Sequence, residues 1–237
     1  MEKNDILNII NKLSKYKFKW SEPITDNKYL EEKGIHDVKG YGIYDAKAEN
    51  RYCLCIDIPN PPNKSLTTLL MNPSKTFPTN IAEKRKIKSR FDQTIRNLIR
   101  LAGVNGFGQV IVLNTFPFIE GNSTEANKYA HRNKKLNSDF IEKVLNDSTE
   151  ILVACGDNVE EELYNEYFKI ITNIKGNQIL YTYTCGNNKF SGLTTKGRPR
   201  HLSLQSESNR VLYNNALRNK KLFELDIEKN YFILKSL

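Results

Sequence analysis

From residue 65 onward, short apolar runs alternate with stretches whose apolar residues recur every three or four positions. The runs predict strands over 66–71, 109–114, 150–155 and 178–183, and the amphipathic stretches predict helices over 92–102, 123–146, 157–171 and 206–221. Asp92-Gln93-Thr94 supplies an N-cap for the first of these helices, Gly103 a stop, and Ser123-Thr124-Glu125 a start for the second. Repeated strand–helix–strand order predicts a parallel sheet with helices on both faces. Upstream, Ile6, Ile9, Ile10 and Leu13 share one face of a short helix over 5–16. Residues 20–50 read as irregular, and 51–58 alternates as a strand that the Pro59-Asn60-Pro61-Pro62-Asn63 run ends. The expected fold is therefore one domain over 1–237. It has a three-layer α/β/α core over 65–225, with a central, mainly parallel four-stranded sheet, and an N-terminal helix and hairpin over 1–64.

Three of the strands end in polar residues. The first stops at Asn72-Pro73-Ser74, the second at Asn114-Thr115 and the third at Cys155-Gly156-Asp157. Ligands of open α/β sheets bind at the carboxyl ends of the strands, so the three ends point to one site at one edge.

Composition narrows the class. The chain is 39% hydrophobic, has a mean hydropathy of −0.57, and holds no apolar stretch near the ~20 residues that span a bilayer. Met1 to Asp5 lacks the basic and apolar character of a secretory leader, so a cytoplasmic protein is expected, with no membrane partner. The net charge of +9 is concentrated in blocks: Lys84 to Arg100, Lys128 to Lys135, and Lys189 to Arg200. Such blocks favour a polyanion, and nucleic acid is the usual one. Cys53, Cys55, Cys155 and Cys185 form no CxxC pair, so reduced thiols are expected and no metal or cofactor.

His201 is one of three histidines, and its context is the richest. It lies in Thr194-Thr195-Lys196-Gly197-Arg198-Pro199-Arg200-His201-Leu202-Ser203, between arginines and a serine, just before a predicted helix whose N-terminus favours phosphate. His36 and His131 fall in a turn and in a basic helix.

Residues 51 to 203 resemble a family known as domain of unknown function 1643. The resemblance rests on Met71-Asn72-Pro73-Ser74, Asp92-Gln93-Thr94-Ile95-Arg96, Val112-Leu113-Asn114 and the Thr195 to His201 loop. That family name carries no activity. Met71-Asn72-Pro73, Val112-Leu113-Asn114-Thr115, Ile151 to Gly156 and His201-Leu202-Ser203 also look like the ordered site motifs of the uracil-DNA glycosylase superfamily, with Leu202 where that superfamily has proline. Its mismatch-specific branch has the Asn-Pro form of the first motif. This second resemblance implies a fold of that type and a DNA glycosylase that flips and excises a modified, damaged or mismatched base. A modified cytosine in viral DNA would suit such a site, in repair or antiviral defence.

Cleavage of a base–sugar bond passes through a cation-like sugar and an anionic leaving base. By the resemblance, Asn72 positions the water and His201 donates to the departing base. Asp92, read either as a helix cap or as an aid to water activation, completes the catalytic set. Asn114 reads the base edge, and Phe91, with Phe77 as the alternative, stacks on it. Ser74, Lys75, Arg198, Arg200 and Ser203 hold flanking phosphates. Leu204 fills the vacated stack, and Lys196 is either a phosphate contact or a solvated charge. The competing expectations are a non-catalytic DNA-binding module of the same fold and an enzyme acting on free nucleotides.

Overall fold

The apolar runs pair into a single sheet. In a computed structural model, the described residues are 1–25, 30–59, 64–73, 76–84, 90–174, 176, 178–183, 192–202, 222–228 and 231–235. The strands are β1 (Lys39–Tyr44), β2 (Arg51–Asp57), β3 (Ser65–Leu70), β4 (Gln109–Asn114), β5 (Glu150–Val153), β6 (Ile179–Tyr183), β7 (Leu222–Glu228) and β8 (Tyr231–Leu234). They lie in the order β1-β2-β4-β3-β5-β6-β7-β8. Pairing is parallel from β4 through β3 and β5 to β6, and antiparallel at β1–β2, β2–β4, β6–β7 and β7–β8.

The expected four strands are thus part of an eight-stranded mixed sheet. Two physical reasons account for the difference. Gly40 and Gly42 dilute the apolar signal of β1, which lies in the stretch read as irregular. The C-terminal hairpin carries acidic residues at every second position of β7, so its apolar half-pattern is weak. The N-terminal hairpin is also no appendage, because β2 pairs directly with β4 and so extends the sheet.

The helices are α1 (Lys3–Leu13), α2 (Thr79–Lys84), α3 (Gln93–Val104), α4 (Ser123–Asn127), α5 (Lys134–Asn146) and α6 (Glu161–Asn173). The single helix expected over 123–146 is broken before Lys134, where Asn133 adopts a left-handed conformation with φ 56°. Asparagine tolerates that region better than most residues. The helix expected over 206–221 lies outside the described residues.

Strand alternation sorts the core into two layers. Leu69, Met71, Ile111, Leu113, Ile151 and Val153 pack with α1, α5 and α6 through Ile6, Ile10, Phe140, Ile141, Val144 and Leu163. Leu66, Leu70, Val110, Val112, Leu152 and Ala154 face the other way, against Ile95, Leu98 and Ile99 of α3. Helices therefore cover both faces. Among the described residues, no helix is long and apolar enough to cross a membrane.

Candidate functional site

Register brings the polar strand ends together. Leu70 of β3 is opposite Asn114 of β4, and Leu69 is opposite Val153 of β5, so Asn72, Asn114 and Gly156 follow three adjacent strands. Thr115 locks the first two ends, with its amide donating to Leu70 O (2.9 Å) and its hydroxyl to Met71 O (2.6 Å).

Asn114 continues the row Val110, Val112 and therefore points to the α3 side of the sheet. Its side chain is 1% exposed, yet among the described residues neither Oδ1 nor Nδ2 has a hydrogen-bond partner. The backbone beneath it is held firmly, because Asn137 of α5 donates from Nδ2 to the carbonyls of Asn114 (2.9 Å) and Thr115 (3.2 Å). The strand end is clamped while the amide is left open. Buried polar groups are almost always paired, so this amide keeps both a donor and an acceptor that a ligand could use.

Asn72 is half-buried, and its amide orientation is fixed by acceptors. Nδ2 donates to Glu120 O (2.5 Å) and to Pro73 O (3.1 Å), which leaves Oδ1 as the atom available to water or ligand.

His201 comes from the loop after β6. A turn around Thr194 starts that loop: Thr194 N bonds Arg198 O, and the Thr194 hydroxyl donates to Asp157 Oδ1 (2.5 Å). Beyond the turn, Pro199 O accepts from Gly156 N (2.8 Å), Tyr183 Oη donates to His201 O (2.8 Å), and Asn97 Nδ2 of α3 donates to Leu202 O (3.0 Å). The loop is stitched to β5, β6 and α3 at once. Gly156 makes the approach possible. It has φ +73°, and a methyl group there would lie 2.9 Å from His201 Cβ. Burial pulls the His201 imidazole down to about 4, against the opposing pull of the Asp92 charge, so the ring is neutral at neutral pH.

Asp92 caps α3, with Oδ1 accepting from Ile95 N (3.1 Å). Its other oxygen accepts from the Thr76 hydroxyl (2.6 Å), and its own N–H donates back to that hydroxyl (3.0 Å). Both carboxylate oxygens thus hold backbone and loop in place, and the charge acts on His201 through space.

Several expected contacts are corrected. Phe91 is 0% exposed, sits in the α3-side core with Leu54, and has its ring edge against Gly40, so it anchors the core and offers no face to a base. Phe77 is equally buried, stacked on Tyr44 and packed with Ala82 and Ile119. Arg198 is 3% exposed; it donates to Val159 O and Asp157 O, pairs with Glu161 of α6 and lies over the Tyr164 ring. With its donors spent on Asp157, Val159 and Glu161, it ties the loop to the start of α6 instead of being free for a phosphate. Lys196 is exposed and Arg200 half-buried. Ser74, Lys75, Ser203 and Leu204 lie outside the described residues. Cys53, Cys55 and Cys155 are free and buried, and burial pushes Cys55 and Cys155 up to about 12, which keeps them protonated.

One residue at this edge escaped the sequence reading. Arg51 opens β2 and is 1% exposed. The register passes from Ile43 opposite Cys53 to Tyr44 opposite Arg51, so Tyr52 is an extra residue. That bulge turns Arg51 and Tyr44 together toward the segment leading to α3, where Arg51 Nη1 (3.3 Å) and Tyr44 Oη (2.8 Å) both donate to Thr76 O. A lone arginine at the head of an apolar strand was the available signal.

A model of the family described as "Protein of unknown function (DUF1643)" matches residues 51–201, well over half of the chain. No curated protein and no solved structure matches it.

Proposed function

The chain belongs to the DUF1643 family, and from that premise we propose a DNA glycosylase-like enzyme that extrudes a modified, damaged or mismatched base and hydrolyses its glycosidic bond. The reading takes the sheet to be of the uracil-DNA glycosylase type, with its site at the ends of β3, β4 and β5. The observation that carries it is Asn114. A buried amide with a free donor and a free acceptor is suited to the paired donor and acceptor on the Watson–Crick edge of a base, and the bound base repays its unsatisfied state.

The other groups take complementary roles. Asn72 presents Oδ1 to a water, because its nitrogen is committed to Glu120 and Pro73. The C1′–N bond then breaks with its electron pair leaving on the base, and the water oxygen joins the cation-like sugar. His201, being neutral, contributes one N–H to the oxygen of the departing base, a preorganised donor of the kind worth about 3 kcal/mol. The net charge of +9 and the exposed Lys196 serve the DNA backbone outside the site.

Oligonucleotides carrying uracil, methylated and hydroxymethylated pyrimidines, and mismatches test the proposal by the appearance of abasic sites. We expect cleavage by the wild type and losses of about 100-fold in Asn72→Ala and His201→Ala. The runner-up is a DNA-binding module without chemistry. It is favoured by the amide at position 72 and by the full engagement of the Asp92 oxygens. Salt-dependent DNA binding with no abasic product from any oligonucleotide would select it.

A further inference from the structure

The edge that buries the unpaired amide of Asn114 also buries an incompletely satisfied charge. The only side-chain hydrogen bond of Arg51 among the described residues is the one from Nη1 to Thr76 O. Its Nε is buried without a partner, and no carboxylate among the described residues pairs with it. A buried guanidinium normally lies against an acid, because an unpaired buried charge is costly. The acid tied into this network is Asp92, which bonds the hydroxyl of Thr76 and not Arg51 itself. In sequence, the segment from 74 to 91 that carries Thr76 holds Lys75, Lys84, Arg85, Lys86, Lys88 and Arg90 against Glu83 alone. That segment is basic in sequence, and the buried Arg51 has hydrogen-bonding capacity to spare.

Resting on the glycosylase reading, we propose that Arg51 receives the departing base, with the Nε and Nη2 edge of its guanidinium donating to the base oxygen on which negative charge collects. Backbone phosphates remain at the mouth of such a site, whereas the extruded base is what enters a buried interior. Cleavage leaves the electron pair of the C1′–N bond on the base, as an N–C–O anion with the two-point shape of a carboxylate. That shape matches the arginine fork. The water that adds to C1′ releases its proton to solvent, and the base anion is protonated after it leaves. Arg51 keeps its protons throughout, so it acts by charge and hydrogen bonding, which the neutral His201 complements with a single donor.

The experiment compares wild type with Arg51→Gln and Arg51→Lys in two arms. The first is single-turnover excision from duplexes carrying uracil, 5-hydroxymethyluracil or 5-fluorouracil. The second is thermal melting with free 5-fluorouracil at pH 6, where the base is neutral, and at pH 9, where it is anionic. We expect both variants to lose about 100-fold in excision rate with KM changed less than about threefold, and the loss to be smallest for 5-fluorouracil, whose anion needs least help. The anionic base should raise the melting temperature of the wild type and not that of Arg51→Gln, and the ligand-free glutamine variant should melt at or above wild type. An unchanged rate in Arg51→Gln, with a lower melting temperature, would make Arg51 a structural pin and overturn the inference while the glycosylase reading stands. If the wild type excises nothing, that reading fails, and the melting arm alone decides: equal protection of wild type and Arg51→Gln by the anion refutes the role of Arg51.

Discussion

Asn114 sets stability against function at the residue scale. A buried polar atom without a partner costs about 1–3 kcal/mol, so a near-isosteric apolar side chain should be accepted gladly by the free protein. We expect Asn114→Leu to equal or exceed the wild type in denaturant unfolding by up to about 2 kcal/mol, while excision falls about 100-fold or more. A clear loss of stability would show that the amide is satisfied by the protein itself and would remove the ground for its role in base reading. Residues of this kind were legible, because Asn72, Asn114 and His201 stand at strand ends or in a basic loop. Direction was not legible. Phe91, Phe77 and Arg198 have the right chemistry and face the core or α6 instead, and Arg51 turns toward Thr76 only because Tyr52 shifts the register by one.

At the scale of elements, the His201 loop depends on a glycine it does not contain. Gly156 follows β5 in a left-handed conformation with His201 Cβ where its own Cβ would be crowded, whereas Gly197, with φ +72°, has among the described residues only the Tyr231 ring, 4.0 Å away, near that position. Each alanine substitution carries the left-handed backbone cost of about 1–2 kcal/mol, but the one at Gly156 must also displace the loop. We therefore expect Gly156→Ala to be the less stable of the two in chemical denaturation and to lose most excision, with Gly197→Ala keeping its activity. Equal activities would mean that His201 tolerates displacement. Periodicity found α3 and its Asp92 cap because cap and stripe agree, although the helix runs through Gly103, the expected stop, to Val104. It joined α4 to α5 because a single left-handed asparagine interrupts geometry without interrupting composition.

For the whole molecule, the family-matched segment is less than the folding unit. Residues 51–201 contain β2 through β6, yet β1 and β7 complete the hydrogen bonding of the sheet on either side, and α1 covers Ile141 and its neighbours. Cutting at those bounds exposes two strand edges and an apolar face, the conditions for aggregation. We expect the 51–201 fragment to be insoluble or to lack a cooperative melt, where the full chain melts as one unit by circular dichroism. A soluble, cooperative fragment would show the flanks to be dispensable. These flanks were the least legible part, since their strands draw on partners distant in sequence. The segment between β3 and α3 has the opposite character. Thr76 is fastened to Asp92, and Phe77 bridges Arg90, so the two ends of the segment meet at one narrow neck. Chain added beyond Ala82, which packs with Phe77, leaves both anchorages in place, and closing a longer loop costs only about 0.6 kcal/mol per doubling. The molecule therefore has a place where its surface can grow while the junction between β3 and α3 stays fastened.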